Sequence, residues 1–496
     1  MISEGSATEI PRLTRNDIIF ICYTFGMKLY NTLTRKLEDF KSLNEKSILF
    51  YHCGPTVYWI QHIGNLRAMV WADFIRRSLI FFGYTVKFVR NYTDVGHLVS
   101  DEDEGEDKME KGAKREGLTP DEIANKYVAI FEKDTDALNI LEPDVKPCAT
   151  EYISQIIQMV QTLIDKGYAY TTSSAVVYDV SKFPHYNDLN KQNLDKNIGG
   201  SGKGTVEDPE KKHFADFNLW VFKKGKHANA LQSWSSPWGE GFPGWHIECS
   251  VMIKALLGNT IDMHMGGVEH ITVHHTNEIA QSEAANGVKF VNYWLHNEHL
   301  DVDGRKMAKS EGTSYTLSQI TEKGYDPLVL RYFFMSSHYR SKQNFTWEAL
   351  GGAKETLRKL RETVLALKTQ IQRTSLSKEK LNEINQFRQR FNDALSNDFQ
   401  IPQAVAVMWE MLKSNISSND KLALIFEMDK VLGLKINEVQ EERVPQHIID
   451  LVKELDQARN KHDYTASDYA RNRIVAGGYT IENTPSGTLV KKKRSV

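Results

Sequence analysis

Cysteine is scarce in this sequence, with four residues in 496. So few thiols in so long a chain do not make a disulfide framework, and we expect a protein of the reducing cytoplasm. Long apolar runs are missing as well. The run from Ile18 to Gly26 is too short to span a membrane, and no small-residue cleavage site follows it. We therefore expect no membrane association, and we interpret residues 1–26 as an extension ahead of a natural start at Met27.

An excess of charge of one sign is also missing. The 62 Lys and Arg residues nearly balance the 64 Asp and Glu residues, and the formal net charge is -2. This balance excludes a globally basic nucleic-acid binder but permits local basic patches such as Lys491 to Arg494. A terminal run of this kind is more often a solvated end. Because 41% of the residues are hydrophobic, the chain can bury more than one core, and we expect several domains.

The sequence does contain a short signature near its front, His62-Ile63-Gly64-Asn65. Residues Ser47 to His52 (SILFYH) predict a short buried strand, and from Asn65 onward apolar residues recur at helical spacing, so the signature opens a helix. Helix N-termini present free N–H groups, and Gly64 lets a nucleotide approach the backbone. His62 and Asn65 are therefore placed to bind triphosphate oxygens. The alternative is an ordinary polar helix start.

A second signature, Lys306-Met307-Ala308-Lys309-Ser310, follows a strand-like run from Val291 to Val302 and a turn at Asp303-Gly304. Its two lysines can neutralise charge that develops on the β- and γ-phosphates as pyrophosphate leaves. A solvated lysine loop is the alternative. Together and in this order, the two signatures resemble the HIGH and KMSKS sequences that hold ATP in class I aminoacyl-tRNA synthetases. We therefore expect a chain that activates an amino acid with ATP.

Four side chains are candidates for one metal site. Cys53 follows the first predicted strand, and Cys249 lies in Gly244 to Ser250 (GWHIECS), beyond a loop rich in Pro and Gly. His274 and Glu278 are four residues apart at the start of a predicted helix, so they share one face. Two thiolates, one imidazole and one carboxylate suit zinc. The simpler interpretations are a small buried Cys at a strand end and a His–Glu pair on the surface.

The order of these motifs resembles that of the cysteinyl-tRNA synthetase family. The likeness runs from about Met27 to segments near Asp463 and Thr484, so it covers nearly the whole chain. The motifs that carry it are Cys53 to Tyr58 (CGPTVY) with HIGN, Gly244 to Ser250, His274 to Ser282 (HHTNEIAQS) and the KMAKS loop.

This resemblance implies a function. It implies activation of L-cysteine by ATP with Mg²⁺, transfer of the cysteinyl group to the 3'-terminal adenosine of tRNA(Cys), and one zinc ion per chain that selects cysteine over serine through its thiolate. Zinc helps because a hydrophobic pocket separates such near-isosteres by only about one to three kcal/mol. We expect the protein to be a monomer.

The resemblance also assigns site residues. The assignments are Cys53, Cys249, His274 and Glu278 as zinc ligands; Gly54, Thr93, Trp245 and His264 in the cysteine pocket; His62, Asn65, Lys306 and Lys309 as catalytic residues; and those four together with Gly64 and Ser310 in ATP binding. Three positions depart from the family pattern. Ala308 replaces a serine, Trp59 stands where aspartate is common, and Val490 stands where tryptophan is frequent.

The alternation of strands and helices predicts an α/β fold with a Rossmann-like parallel sheet, whose ligand lies at the carboxyl ends of its strands. A connective insertion splits this domain, and a helical bundle and a small anticodon-binding region follow. Helical spacing is expected to end near Ile449. The predicted ranges are 1–26 for the extension, 27–137 and 241–300 for the two halves of the catalytic domain, 138–240 for the insertion, 301–350 for the KMSKS loop and stem-contact region, 351–450 for the bundle and 451–496 for the C-terminal region.

Two other functions stay open at this stage. One is a ligase that uses the same core to attach cysteine to an amino sugar; such relatives look truncated beyond the helical bundle, so the long C-terminal region favours tRNA. The other is a non-catalytic, zinc-dependent RNA-binding paralogue. The retained His62, Asn65, Lys306 and Lys309 argue against it, because a pure binder does not need lysines that neutralise phosphates.

Overall fold

The structure is a computed structural model that describes residues 26–96, 108–191, 209–307, 312–370, 377–440, 444–484 and 487–492. The predicted extension therefore lies outside the described residues, except for Gly26. Over the described ranges, no helix is both long enough and apolar enough to cross a membrane. By internal contacts the chain divides into two compact units, Met1–Ile436 and Asn437–Val496.

The described strands are β1 Lys28–Asn31, β2 Lys36–Asp39, β3 Ser47–His52, β4 Thr85–Arg90, β5 Ala169–Thr171, β6 Ala175–Tyr178, β7 Phe217–Phe222, β8 Gly241–Pro243, β9 Ile261–Gly267, β10 Val291–Asn297, β11 Leu300–Val302, β12 Arg305–Lys306, β13 Gln343–Phe345, β14 Tyr479–Thr484 and β15 Gly487–Lys492.

The described α-helices are α1 Ile63–Phe81, α2 Lys108–Glu116, α3 Pro120–Ala137, α4 Ile153–Asp165, α5 Trp245–Leu256, α6 His274–Asn286, α7 Leu317–Glu322, α8 Pro327–Phe334, α9 Trp347–Thr369, α10 Lys378–Ser396, α11 Ile401–Lys413, α12 Ser418–Leu432, α13 Gln446–Asn460 and α14 Tyr464–Ala476.

The central sheet has four strands in the order β10-β9-β3-β4, and every pair is parallel. This confirms the predicted parallel sheet. Side chains of β3 alternate between two cores: Phe50 packs with α1 and the helical bundle, whereas Tyr51 packs with α5, α6 and the insertion. The sheet is therefore covered on both faces, as parallel sheets usually are.

The predicted strand from Val291 to Val302 is two strands. β10 ends at Asn297 in the central sheet, and β11 leaves it to pair with β13, with Leu300 opposite Gln343. The polar run from His296 to His299 (HNEH) lies at the break, but it does not show that the second strand joins another sheet.

Between the halves of the central sheet, residues from α4 to β8 form a second layer. Strands β5 to β8 make an antiparallel sheet, and α4 packs against α5 and α6. Gly244 alone separates β8 from α5, so the insertion leads directly into the helix that carries Cys249.

The predicted helical spacing beyond Leu350 is confirmed in α9 and α11. The apolar residues on which it rested are buried, namely Leu357, Leu360, Val364, Leu367, Ala404, Val407, Met408, Met411 and Leu412. With α10 and α12 these helices form a bundle.

The unit Asn437–Val496 contains α13, α14 and an antiparallel hairpin of β14 and β15. Its small core is formed by Ile448, Leu451, Leu455, Ala470 and Ile474. The expectation that helical structure ends near Ile449 is wrong, because α13 continues to Asn460 and α14 follows. Helix α14 buries only Ser467, Ala470 and Ile474, too narrow a stripe to be read as a periodic pattern.

Candidate active site

The four predicted metal ligands meet in one buried cluster. Cys53 follows β3, Cys249 lies within α5, and His274 and Glu278 lie on the first two turns of α6. Each offers one donor atom, and the four donor atoms lie within 4.8 Å of one another. The site is therefore assembled at the carboxyl end of a parallel strand, where α/β folds place ligands.

Glu278 is the central hydrogen-bonding group of this cluster. Its Oε1 lies 3.0 Å from His274 Nε2 and 3.8 Å from Cys53 Sγ, and its Oε2 lies 2.9 Å from His264 Nε2. The carboxylate of Glu278 and the imidazoles of His264 and His274 are fully or almost fully shielded from solvent. A completely buried carboxylate needs such partners to stay ionised.

The electrostatics of the cluster favour negatively charged donors. A hydrogen bond from Cys53 lowers the pKa of the Cys249 thiol to about 6, while burial raises the pKa of Cys53 well above its ordinary value. Burial opposes ionisation of Glu278, but His264 and His274 outweigh it and hold the pKa of this carboxyl below its ordinary value. One thiolate and one carboxylate in a buried pocket suit a cation.

Sequence reasoning missed a set of histidines behind the cluster. His275 Nε2 lies 3.4 Å from Cys53 Sγ, and its Nδ1 lies 2.8 Å from Nε2 of His296 on β10. His246 Nδ1 lies 2.8 Å from His274 Nδ1. The only sequence signal was the density of histidine between 264 and 275, because the contacts join elements distant along the chain.

The sequence predicts His264 only as a residue of the cysteine pocket, but this side chain also lies within the donor cluster. It is fully buried, and with Cys53, His275 and Glu278 it forms a second group of potential metal donors that shares two residues with the first. His264 therefore also holds the carboxylate of Glu278, one of the predicted metal ligands, at 2.9 Å.

Each of the three remaining predicted pocket residues has a defined contact. The N–H of Gly54 donates to Asn91 Oδ1 at 2.8 Å, and a Cβ at Gly54 would lie 1.6 Å from the carbonyl oxygen of Asn91, so only glycine fits. Thr93 forms a parallel bridge with Thr56. Trp245 begins α5, and its ring centroid is 4.9 Å from that of His274. Asn91 was not identified from the sequence.

The first signature caps α1, as predicted. His62 is the N-cap residue, and its Nδ1 accepts a hydrogen bond from the backbone N–H of Asn65 at 3.3 Å. The side-chain amide of Asn65 donates to Gln61 Oε1 at 2.5 Å. The signature thus stands at a helix N-terminus, the place where backbone N–H groups favour phosphate.

The second signature lies against the first. A Cβ at Gly64 would lie 2.2 Å from Met307 Cε, so the glycine leaves room for this methionine. The backbone carbonyl of Tyr315, downstream of the second signature, accepts a hydrogen bond from the N–H of Ile63 at 2.8 Å. Lys306 is exposed at the end of β12. Ala308, Lys309 and Ser310 lie outside the described residues.

The parallel sheet, the helix-capping signature and its contact with the second signature define the class I aminoacyl-tRNA synthetases. Residues 39–355 match the family model of the tRNA synthetases class I (C) catalytic domain. Among solved structures, a Mycobacterium tuberculosis methionyl-tRNA synthetase in complex with methionyl-adenylate superposes with a TM-score of 0.56 and 16% identity, over 85% of this chain and 96% of that one. A LeuRS–tRNA–LeuAMS complex from Agrobacterium radiobacter K84 superposes with a TM-score of 0.59 and 11% identity, over 81% and 86%. These two likenesses show the shared fold.

Relatives at higher sequence identity show which family of this class the chain matches. The cysteine–tRNA ligase 1 of Burkholderia lata is 40% identical over 93% of this chain and 96% of its own length. The cysteine–tRNA ligase of Lachnospira eligens is 40% identical over 93% of this chain and 99% of its own length. The chain belongs to the cysteine–tRNA ligase family.

Proposed function

We propose that this chain joins L-cysteine to tRNA(Cys) in the cytoplasm, as a monomer. The cysteine carboxylate attacks the α-phosphate of ATP, which yields cysteinyl-adenylate and releases pyrophosphate. The 2'-OH of the 3'-terminal adenosine then attacks the acyl carbon, and AMP leaves. The convergence of Cys53, Cys249, His274 and Glu278 in one buried cluster is the observation that carries this proposal.

The donor set fits zinc, since two thiols, an imidazole and a carboxylate are buried and their donor atoms lie within 4.8 Å of one another. When bound, zinc supplies a soft site that prefers a thiolate to a hydroxyl. Cys53, Cys249, His274 and Glu278 would hold it, and His264 would fix the Glu278 carboxylate through its 2.9 Å hydrogen bond. Gly54, Thr93 and Trp245 would surround the substrate cysteine.

The two signatures would bind ATP, with Mg²⁺ as its counter-ion. The N-terminus of α1, with His62, Gly64 and Asn65, would receive the phosphates. Lys306, Lys309 and Ser310 would approach them from the other side, where the lysines neutralise charge as pyrophosphate departs. Catalysis then comes mainly from orienting the carboxylate and stabilising charge.

The acceptor is proposed to be tRNA and not an amino sugar. The described unit beyond Ile436 has its own core, and the chain covers at least 96% of the two cysteine–tRNA ligases above. We propose that the predicted region 451–496 reads the anticodon. Lysines and arginines there would contact phosphates in a salt-dependent way.

Charging of purified tRNA(Cys) with labelled cysteine tests the proposal, with serine as the control amino acid and an amino sugar as the control acceptor. We expect cysteine-dependent pyrophosphate exchange and charging of tRNA, with no product from serine. Transfer to the amino sugar in place of tRNA would support the second ligase, and absence of any exchange would support a non-catalytic binder.

A further inference from the structure

A guanidinium lies over the loop that leads into the first signature. Arg115, near the end of α2, has its guanidinium carbon 3.9 Å from the ring centroid of Trp59. It also donates to the backbone carbonyl of Tyr58 at 3.0 Å. Trp59 precedes His62 by three positions in the loop between β3 and α1. Helix α2 therefore holds this loop through both a side chain and a carbonyl.

Several contacts fix Arg115 in this position. Glu116 Oε1 accepts a hydrogen bond from Arg115 at 2.6 Å, and Tyr127 OH accepts another at 3.0 Å. The Tyr127 ring lies nearly parallel to that of Trp59, with centroids 6.4 Å apart and an angle of 22°. Tyr127 is on α3, so two helices hold the loop. We call Trp59, Arg115, Glu116 and Tyr127 the Trp59 clamp.

Close packing of α2 reinforces the clamp. A Cβ at Gly112 would lie 3.3 Å from the carbonyl oxygen of Tyr58 and 3.2 Å from Ile123 on α3. Met109 and Ile123 are completely buried. The carbonyl of Tyr58 is thus packed directly against α2, and α2 is in turn packed against α3.

Gln61 connects the clamped loop to the signature. Its Nε2 donates to the carbonyl oxygens of Trp59 at 3.2 Å and Thr56 at 3.3 Å, while its Oε1 accepts from Asn65 Nδ2 at 2.5 Å. Gln61 is buried, with 9% of its surface exposed. A shift of the Trp59 backbone therefore moves Gln61, and with it the amide of Asn65.

We infer that Arg115 is a positioning residue for adenylate formation, which acts through Trp59 and Gln61 on the Asn65 amide. This inference rests on the proposed function, in which Asn65 binds ATP. The predicted cysteine pocket is held mostly by other contacts, those of Gly54 with Asn91 and of Glu278 with His264 and His274, and Gln61 reaches it only through the backbone of Thr56, which bridges to Thr93. Loss of the clamp therefore affects ATP more than cysteine.

Pyrophosphate exchange by Arg115→Met tests this inference in the full chain. We expect the KM for ATP to rise about three- to tenfold, since a cation–π contact and a hydrogen bond are lost, while the KM for cysteine stays within about twofold. Trp59→Ala should behave in the same way, and Trp59→Phe should retain most of the wild-type value because it keeps an aromatic face. Lys146→Met is the matched control: it removes a cation paired with Glu132 of α3 at 2.6 Å.

A separate measurement keeps the two proposals distinguishable. Equilibrium dialysis of ATP against the wild type and Arg115→Met measures ATP affinity without any reaction. A weaker ATP affinity in the variant supports the clamp even if neither protein catalyses exchange. Absence of exchange would count against the proposed function alone. Equal ATP affinity and equal KM values in the wild type and Arg115→Met would overturn the inference, as would equal losses for ATP and cysteine.

Discussion

Cys249 is the more acidic of the two buried thiols, because its hydrogen bond with Cys53 lowers its pKa. Serine at this position would keep a similar volume but lose a soft donor. The chain offers a matched control in Cys148, which is only partly buried and belongs to neither donor group.

We predict that chelator-washed wild type and Cys148→Ser retain about one zinc per chain, and that Cys249→Ser retains much less. Elemental analysis by mass spectrometry measures this directly. Cys249→Ser should also lose affinity for cysteine. A metal-free wild type that still binds cysteine normally would rule out the zinc site.

Lys309 is expected to act on the transition state more than on bound ATP. Lys309→Ala should lower the rate of adenylate formation by about 10²-fold with a much smaller change in ATP affinity, and Lys306→Ala should affect the same step. Single-turnover kinetics separate binding from rate, and the exposed Lys342→Ala serves as the control. Equal losses in binding and rate would indicate uniform binding instead.

At this scale, the sequence predicted which four donor residues converge, but it did not predict the residues that support them. The spacing of His274 and Glu278 indicated one helix face, and the position of Cys53 indicated a strand end. The bond from His264 to Glu278 and that from His275 to His296 were not predictable, because they join β9 and β10 to α6. Such contacts depend on which strands become neighbours, and local patterns do not contain that information.

At the scale of elements, a buried ion pair joins α1 to α8. Arg331 donates to Asp73 at 2.6 Å, and both side chains are completely buried. Arg331 also donates to the carbonyl oxygens of Leu138 at 3.0 Å and Leu432 at 2.8 Å. One guanidinium therefore ties the helix that carries the first signature to the helical bundle.

Arg331→Met should lower the free energy of unfolding by about 3 to 5 kcal/mol, because it leaves the Asp73 carboxylate buried with less compensation. Urea unfolding followed by circular dichroism measures this loss. Arg358→Met, which removes only exposed ion pairs with Glu355 and Glu362, should change stability by less than about 1 kcal/mol. Comparable losses in the two variants would contradict a special role for the buried pair.

The same pair predicts a pH dependence. Burial alone would raise the pKa of Asp73, but Arg331 and Arg77 outweigh it, so the folded pKa lies below its ordinary value. The contribution of the pair is thus complete above the unfolded pKa of about 3.9 and is lost as the pH falls through the folded value. The stability difference between wild type and Arg331→Met should therefore shrink below about pH 4. Unfolding curves at pH 7 and at lower pH measure it.

Elements were predicted well where one face is broadly apolar and less well elsewhere. Strand Ser47–His52 and the spacing in α9 and α11 agree with the structure. The division between β10 and β11 was missed although the polar run from His296 to His299 lies there, and the change of partner strand is not visible in the local sequence. The predicted boundary at residue 450 falls within α13, whereas the compact unit begins at Asn437.

At the scale of the whole molecule, the two units suggest a clean truncation. Deletion of residues 441–496 removes α13, α14 and the hairpin together, whereas a cut at 450 would divide a helix. We predict that the shortened chain forms cysteinyl-adenylate at a rate close to that of the full chain but charges tRNA(Cys) much less efficiently. Pyrophosphate exchange and charging assays at two salt concentrations measure the two activities.

Circular dichroism should first show that the shortened chain is folded. If it then charged tRNA(Cys) as efficiently as the full chain, the proposed anticodon region would be wrong.

The parallel pairing of β3 with β9 has a consequence for synthesis on the ribosome. Phe50 is paired with Met263, 213 positions further along the chain (263 minus 50). At a translation rate of about 5 to 20 residues per second, β3 and β4 emerge about 10 to 40 s before their sheet can be completed. During that interval one edge of β3 has no partner strand. The strand also carries apolar side chains, such as Ile48 and Phe50, on its face. The nascent chain therefore exposes an unpaired strand edge that closes only when the second half of the sheet is made.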